Sequence, residues 1–193
     1  MIKKEDARVL RTKHRLITTF HALLKEKSYE NITVNEICDR SSVRRATFYK
    51  HFQDKTDFVG YFVTVLREQF DLRTWKKKKP GASSDYYVEY LRGIVRFLTE
   101  NELIVMRLLE SSALSSVVDI VTRQNYIDTL DRLEKSVYDG MALPATPPTV
   151  ASFMTGGVSH AIIGWFKDGK PIPEEQFIKE VAAVIRALQS SEK

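Results

Sequence analysis

The stretch "TVNEICDRSSVRRATFYKHF", residues 33–52, contains two short apolar-periodic runs separated by a polar break. Thr33 followed by Glu36 forms a capping box, Ser/Thr-x-x-Glu, ahead of Ile37. The pattern predicts a helix from about Val34 to Arg40 that buries Val34, Ile37 and Cys38. Ser41 and Ser42 then make a tight turn, with Val43 as a plug into the core. A second helix from about Arg44 to Phe52 buries Phe48 and Phe52, which stand at i and i+4. Arg44, Arg45, Thr47, Tyr49, Lys50 and His51 are left facing outward or sideways. Asp54 and Asp57 form another capping box that starts the next helix. Two short helices, a tight turn and a basic second helix fit the helix-turn-helix pattern, which places its second helix in the major groove of DNA.

The side chains suit that placement. Arginine donates two hydrogen bonds to a guanine edge, and Thr47 can donate to a phosphate or touch a thymine methyl. The Tyr49 hydroxyl is a phosphate donor of longer reach. Lys55, in the first turn of the next helix, sits where free backbone N–H groups already favour an anion, and Thr33 at its own helix start shares that geometry. The expected DNA-binding set is therefore Thr33, Arg44, Arg45, Thr47, Tyr49, Lys50, His51 and Lys55.

Charge distribution agrees. The 193-residue chain has a formal net charge of +5, and residues 1–58 alone hold 13 Lys and Arg against 8 Asp and Glu. The remainder is balanced, so the whole cationic excess lies in the N-terminal third, as for an end that meets a polyanion or, equally on charge alone, for a solvated basic face. Hydrophobic content of 43% and charged content of 28% are ordinary for a folded globular protein. No apolar run approaches the roughly 18–20 residues of a membrane span. The polar N-terminus lacks the apolar segment of a secretion signal. The one cysteine, Cys38, has no internal disulfide partner, which suits a reducing cytosol. A cytoplasmic protein with no membrane partner is the expectation.

Glycine and proline are absent before Gly60 and Pro80 and cluster at 76–84, 139–148 and 167–173, which are loop signals. Between them the period is helical. Leu16, Ile17, Phe20, Leu23 and Leu24 form one face, and Phe58, Tyr61, Phe62, Val65, Leu66 and Phe70 form another. Further stripes run over 86–98, 103–109, 117–137, 150–166 and 177–188. No strand alternation or internal repeat is visible. The prediction is an all-α chain of about nine helices, divided into a DNA-binding domain over 1–58 and a second helical domain over 59–193.

With residue identities included, "YENITVNEICDRSSVRRATFYKHFQDKTDF" resembles the DNA-binding domain of the TetR (TetR/AcrR) family of bacterial transcriptional regulators. The matching elements are Tyr29, Thr33-Val34-Asn35-Glu36-Ile37, Val43, Thr47-Phe48-Tyr49-Lys50-His51-Phe52 and Lys55-Thr56-Asp57-Phe58. The likeness covers about residues 8–62. Two positions depart from it. Many members have Ala-Gly where this chain has Ser41-Ser42, so Ser42 must take another geometry or tolerate strain. Many members place Ser or Thr after the turn valine, where Arg44 stands here, implying a changed operator preference.

The resemblance implies a C-terminal domain that holds an effector and forms a dimer. Residues 150–189 look like the last two helices of that family, which pair with their copies. Gly156, Gly157, Ser159, Ala161 and Gly164 permit close helix approach. The expected dimer residues are Val158, Ile162, Trp165, Phe166, Phe177, Val181, Val184 and Leu188; the alternative is an intramolecular core. A two-fold dimer also suits one short recognition helix, which alone reads few bases.

Candidates for an apolar effector cavity are Tyr90, Phe97, Met106, Tyr126, Phe153 and His160, together with Tyr86, Tyr87, Tyr138, Met141 and Met154. For any single one of them plain core is the better reading, and for His160 a satisfied structural histidine.

No metal-ligand spacing, nucleophile elbow, kinase signature or phosphate-cradling glycine loop is present, so no cofactor, no metal and no enzymatic activity are expected. "WKKKK" at 75–79 is a candidate second phosphate clamp or a solvated loop. The expected function is a dimeric, sequence-specific regulator on a palindromic operator in double-stranded DNA, a repressor released by a small-molecule effector. The alternative is an activator or adaptor of the same build whose C-terminal domain binds a protein partner.

Overall fold

The computed structural model describes residues 6–74 and 84–189. The run 75–79 lies outside the described residues. Among the described residues the chain forms nine α-helices and no strand. They are α1 (Ala7–Glu26), α2 (Val34–Ser41), α3 (Arg45–His51), α4 (Lys55–Thr74), α5 (Ser84–Glu100), α6 (Glu102–Leu109), α7 (Leu114–Tyr138), α8 (Pro147–Lys167) and α9 (Glu174–Gln189). None of them is long and apolar enough to cross a membrane. The contacts divide the chain into two compact units, 1–64 with 103–117 and 65–102 with 118–193. The division falls inside α4, after Thr64, and joins 103–117 to the N-terminal helices.

The first unit is built on the apolar face of α1. Leu16, Ile17, Phe20, Leu23 and Leu24 are all buried, as their spacing requires. Phe58 sits at the centre of an aromatic cluster, with ring centroids 5.3 Å from Phe20, 5.4 Å from Phe48 and 4.9 Å from Phe52. Phe62 adds an edge-on contact to Phe20 at 5.0 Å. These edge-to-face pairs add to ordinary burial. They also fix α3, because Phe48 and Phe52 are the residues it lends to the core.

Residues 103–117 support the end of α1. Arg107 Nη1 donates to the Leu24 carbonyl at 2.6 Å, one of the carbonyls a helix end leaves unpaired. The Ser112 N–H donates to Glu30 Oε1 at 2.9 Å, and this bond draws the Glu30 carboxyl below its usual range.

In the second unit α5 packs along α9, and α9 along α8. Arg92 Nη1 pairs with Glu175 Oε1 at 2.5 Å, and Thr99 Oγ1 donates to Glu174 Oε2 at 3.2 Å. Arg67 of α4 pairs with Asp128 of α7. The turn from α8 to α9 is tied by Trp165, whose ring stacks on Phe177 at 4.8 Å and whose Nε1 donates to the Ile172 carbonyl at 2.9 Å.

Candidate functional site

The N-terminal unit presents the helix-turn-helix read in the sequence. Thr33 caps α2, its Oγ1 accepting the Glu36 N–H at 3.2 Å. Glu36 does not return the bond. Its carboxylate pairs instead with Lys27 Nζ at 2.6 Å and Arg40 Nη2 at 3.5 Å. Arg40 Nη1 in turn holds Glu26 Oε2 at 2.7 Å. This network clamps α2 onto the end of α1. Ile37 and Cys38 are buried as expected, whereas Val34 is half-buried.

The turn solves the missing-glycine problem by strain. Ser42 is left-handed, φ 51° and ψ 42°, and ends α2 with its N–H on the Asp39 carbonyl at 3.1 Å. The next N–H, of Val43, reaches the Cys38 carbonyl at 2.9 Å, and the Val43 side chain is buried. Arg15 Nη2 donates to the Ser42 carbonyl at 3.3 Å. These bonds hold a conformation that costs a non-glycine residue roughly 1–2 kcal/mol.

Helix α3 then splits cleanly. Phe48 is inside, and Arg44, Arg45, Tyr49 and Lys50 are exposed on the other side. Thr47 and His51 lie half-buried at the flanks. Arg44 is the residue before the helix and makes no side-chain cap. Tyr49 is 48% exposed, its ring edge-on to Phe48 at 5.4 Å, so the core steers the phenol without enclosing it. Six residues of the expected DNA-binding set (Arg44, Arg45, Thr47, Tyr49, Lys50, His51) thus share one short helix and its entrance, with exposed Thr33 at the start of α2.

Lys55 departs from expectation. Its ammonium donates to the Tyr29 and Ile32 carbonyls, both at 2.9 Å, and stands 3.9 Å from the centroid of the Tyr29 ring. Burial pushes its pKa down and raises that of the Tyr29 phenol. The partners shown are those of a tie between α4 and the loop ahead of α2, not those of a side chain extended toward a phosphate. The next helix is capped as read, with the Asp57 N–H on Asp54 Oδ1 at 2.8 Å and the Gln53 N–H on Asp57 Oδ2 at 2.9 Å.

The second unit corrects the reading of α8. Ile162, Trp165 and Phe166, with Phe177 of α9, were expected at a dimer face but are buried inside the unit. Phe153 and His160, expected in an effector cavity, are exposed, Phe153 by 67%. Gly156 and Gly157 lie between them, also exposed, with nothing within 4 Å of an added Cβ. Phe153, Gly156, Gly157 and His160 follow i, i+3, i+4, i+7, one face of the helix. On α9, Val184 is 61% exposed, while Val181 and Leu188 are half-buried.

A small cavity of about 50 Å³ does exist, between α5, α7, α8 and α9. Of the expected effector residues only Tyr90 lines it, joined by Tyr87 and Met154 from the wider set and by Val158 from the expected dimer face. Phe97, half-buried, packs at 5.5 Å on Phe70 instead. Tyr126 is half-buried on α7 and does not line the cavity, and Met106 belongs to the first unit. The polar lining residues Asn125, Thr129, Thr155 and Ser159 went unread. Their signal was available as two polar i, i+4 pairs facing inward on α7 and α8.

Residues 16–61 match the family model "Bacterial regulatory proteins, tetR family". The chain is 41% identical over 58 residues to an uncharacterized HTH-type transcriptional regulator, YxbF, of Bacillus subtilis, covering 30% of this chain and 15% of that one. It is 21% identical over 126 residues to the HTH-type dhaKLM operon transcriptional activator DhaS of Lactococcus lactis, covering 62% of this chain and 61% of DhaS. The chain therefore matches less than two thirds of either relative's length. Among solved structures, a protein from Syntrophomonas wolfei assigned to the TetR family superposes with TM-score 0.69 at 17% identity, covering 94% of this chain and 96% of that one. Residues 16–61 thus match the DNA-binding part of the TetR family of bacterial regulatory proteins, and the fold is similar to that of a solved protein assigned to that family.

Proposed function

We propose that the chain is a sequence-specific DNA-binding transcriptional regulator that works as a homodimer. The observation that carries this is α3: a helix locked into an aromatic core by Phe48 while Arg44, Arg45, Tyr49 and Lys50 stand exposed on its other side. Arg44 and Arg45 read base edges, with Thr47 at the flank. Tyr49, Lys50, His51 and Thr33 hold phosphates. Lys55 serves the interface by fixing the loop ahead of α2. Residues 1–58 carry the DNA-binding function, and residues 59–193 carry dimerisation and effector response.

The dimer forms through the α8 face of Phe153, Gly156, Gly157 and His160, with Val184 of α9 beside it. Exposed glycines let a second helix approach closely, and Phe153 supplies the apolar anchor. Two α3 helices then meet half-sites about 34–36 Å apart. As a repressor, the chain leaves its operator when an effector in the second unit alters that separation. A second reading, an activator whose second unit binds a protein, draws support from the description of DhaS as an activator.

The test is a titration of the chain against random-sequence and selected duplexes over a range of salt. Lys50→Ala should weaken binding to all sequences and flatten the slope of log affinity against log salt by about one. Arg45→Ala should cost about 1–3 kcal/mol at the preferred site and relax base preference there. A chain with no measurable duplex affinity at low salt contradicts the proposal outright.

A further inference from the structure

We infer that the exposed arginine stripe on the first half of α1, Arg8, Arg11 and Arg15, is a second DNA-binding element, a clamp on the sugar-phosphate backbone beside the bases that α3 faces. The inference rests on the proposed DNA-binding function and adds a helix to it, since none of the expected DNA-binding residues lies on α1.

Position is the first observation. Arg8, Arg11 and Arg15 stand at i, i+3 and i+7, and all three are exposed. At about 100° per residue they fall within an arc of about 60°, apart from the buried stripe of Leu16, Ile17 and Phe20. Arg15 Nη2 donates to the Ser42 carbonyl at 3.3 Å, in the turn two residues ahead of Arg44. The far end of α1 is the end that grips α2, through Glu26 on Arg40 with Lys27 beside it on Glu36. From Arg15 back to Arg8 the helix runs on past the turn for about 10 Å. Arg15 thus joins the stripe to the entrance of α3.

The second observation is what the arginines lack. Other cations of this unit are held locally, Lys27 and Arg40 by carboxylates and Lys55 by two carbonyls. Among the described residues Arg8, Arg11 and Arg15 have no carboxylate partner. Two of them sit in the first turns of α1, where the helix already presents its positive end and no acid stands in the first turn. Folding disfavours that placement, and an external polyanion accounts for it. The guanidinium fork fits phosphate oxygens two at a time. Duplex DNA offers one negative charge per about 1.7 Å of axis, so a stripe about 10 Å long meets several.

The experiment titrates the full chain against selected and random-sequence duplexes over a range of salt. Arg8→Gln with Arg11→Gln should flatten the slope of log affinity against log salt by about two. Both duplexes should lose on the order of tenfold in affinity per arginine near 0.1 M salt, with base preference unchanged. Arg8→Lys, which keeps the charge, should keep the slope. Lys25→Gln, at the other end of the same helix, should leave it at the wild-type value. The unfolding midpoint of the Gln variant should hold or rise, because a cation leaves the positive end of α1. A wild-type slope in the Gln variant, an equal loss from Lys25→Gln, or a changed base preference would each overturn the inference while leaving α3 as the reading helix. A lowered midpoint that accounts for the lost affinity would overturn it in favour of a structural role. No duplex affinity in the wild-type chain removes the proposed function and this inference together, so the two failures are told apart.

Discussion

Ser42 holds a left-handed backbone at φ 51°, the geometry that glycine adopts most cheaply. The serine is kept there by what surrounds it: the Cys38 and Asp39 carbonyls take the closing N–H groups, and buried Val43 fixes the exit. Ser42→Gly should therefore raise stability by about 0.5–1 kcal/mol, seen as a higher unfolding midpoint. A lower midpoint would mean that the serine side chain relieves its own strain. At this scale the sequence was legible where an atom has one good option. Thr33 and Asp54 cap as their spacing demanded, and Phe48 and Val43 went inside. The Lys55 contacts were not legible, because a lysine at a helix start has two reasonable partners, a phosphate and nearby carbonyls. Only the fold brings the Tyr29 and Ile32 carbonyls within 2.9 Å of its nitrogen.

Helices with a polar side disclosed their inner face. The stripe on α1 left no ambiguity, and all five of its apolar residues are buried. Helix α8 is different, being apolar nearly all round, so period alone could not say which side meets its own unit. The family resemblance suggested a dimer side, and the large residues Trp165 and Phe166 were assigned to it; they pack into the unit, leaving the flat Phe153-Gly156-Gly157-His160 face outward. If that face is the dimer contact, Phe153→Asp should give monomers in sedimentation experiments while the helical signal and unfolding midpoint stay near wild type. An unchanged dimer would move the contact to another surface. The same substitution should weaken operator binding more than non-specific binding, since one recognition helix reads too few bases. Helix α6 carried another hidden role. Nothing in the sequence linked Arg107 to the Leu24 carbonyl or Ser112 to Glu30, because such ties depend on pairings across more than 80 residues.

Across the molecule, charge and exposed surface divide between the two units. The N-terminal unit carries the cationic excess and the exposed α3, and the second unit carries the neutral cavity and the apolar α8 face. The all-α class and the helix-turn-helix were readable because both rest on local period and capping. The cavity was not, because its walls come from four helices whose meeting is a tertiary event. The central claim is that two copies of α3 read a two-fold symmetric site. The measurement that bears on it most directly is selection of bound duplexes from a random pool by the purified chain, followed by sequencing. A palindromic consensus with half-sites one helical turn apart, about 10–10.5 base pairs, is the predicted result. Retained duplexes with no enriched sequence, or an enriched site lacking two-fold symmetry, would contradict it.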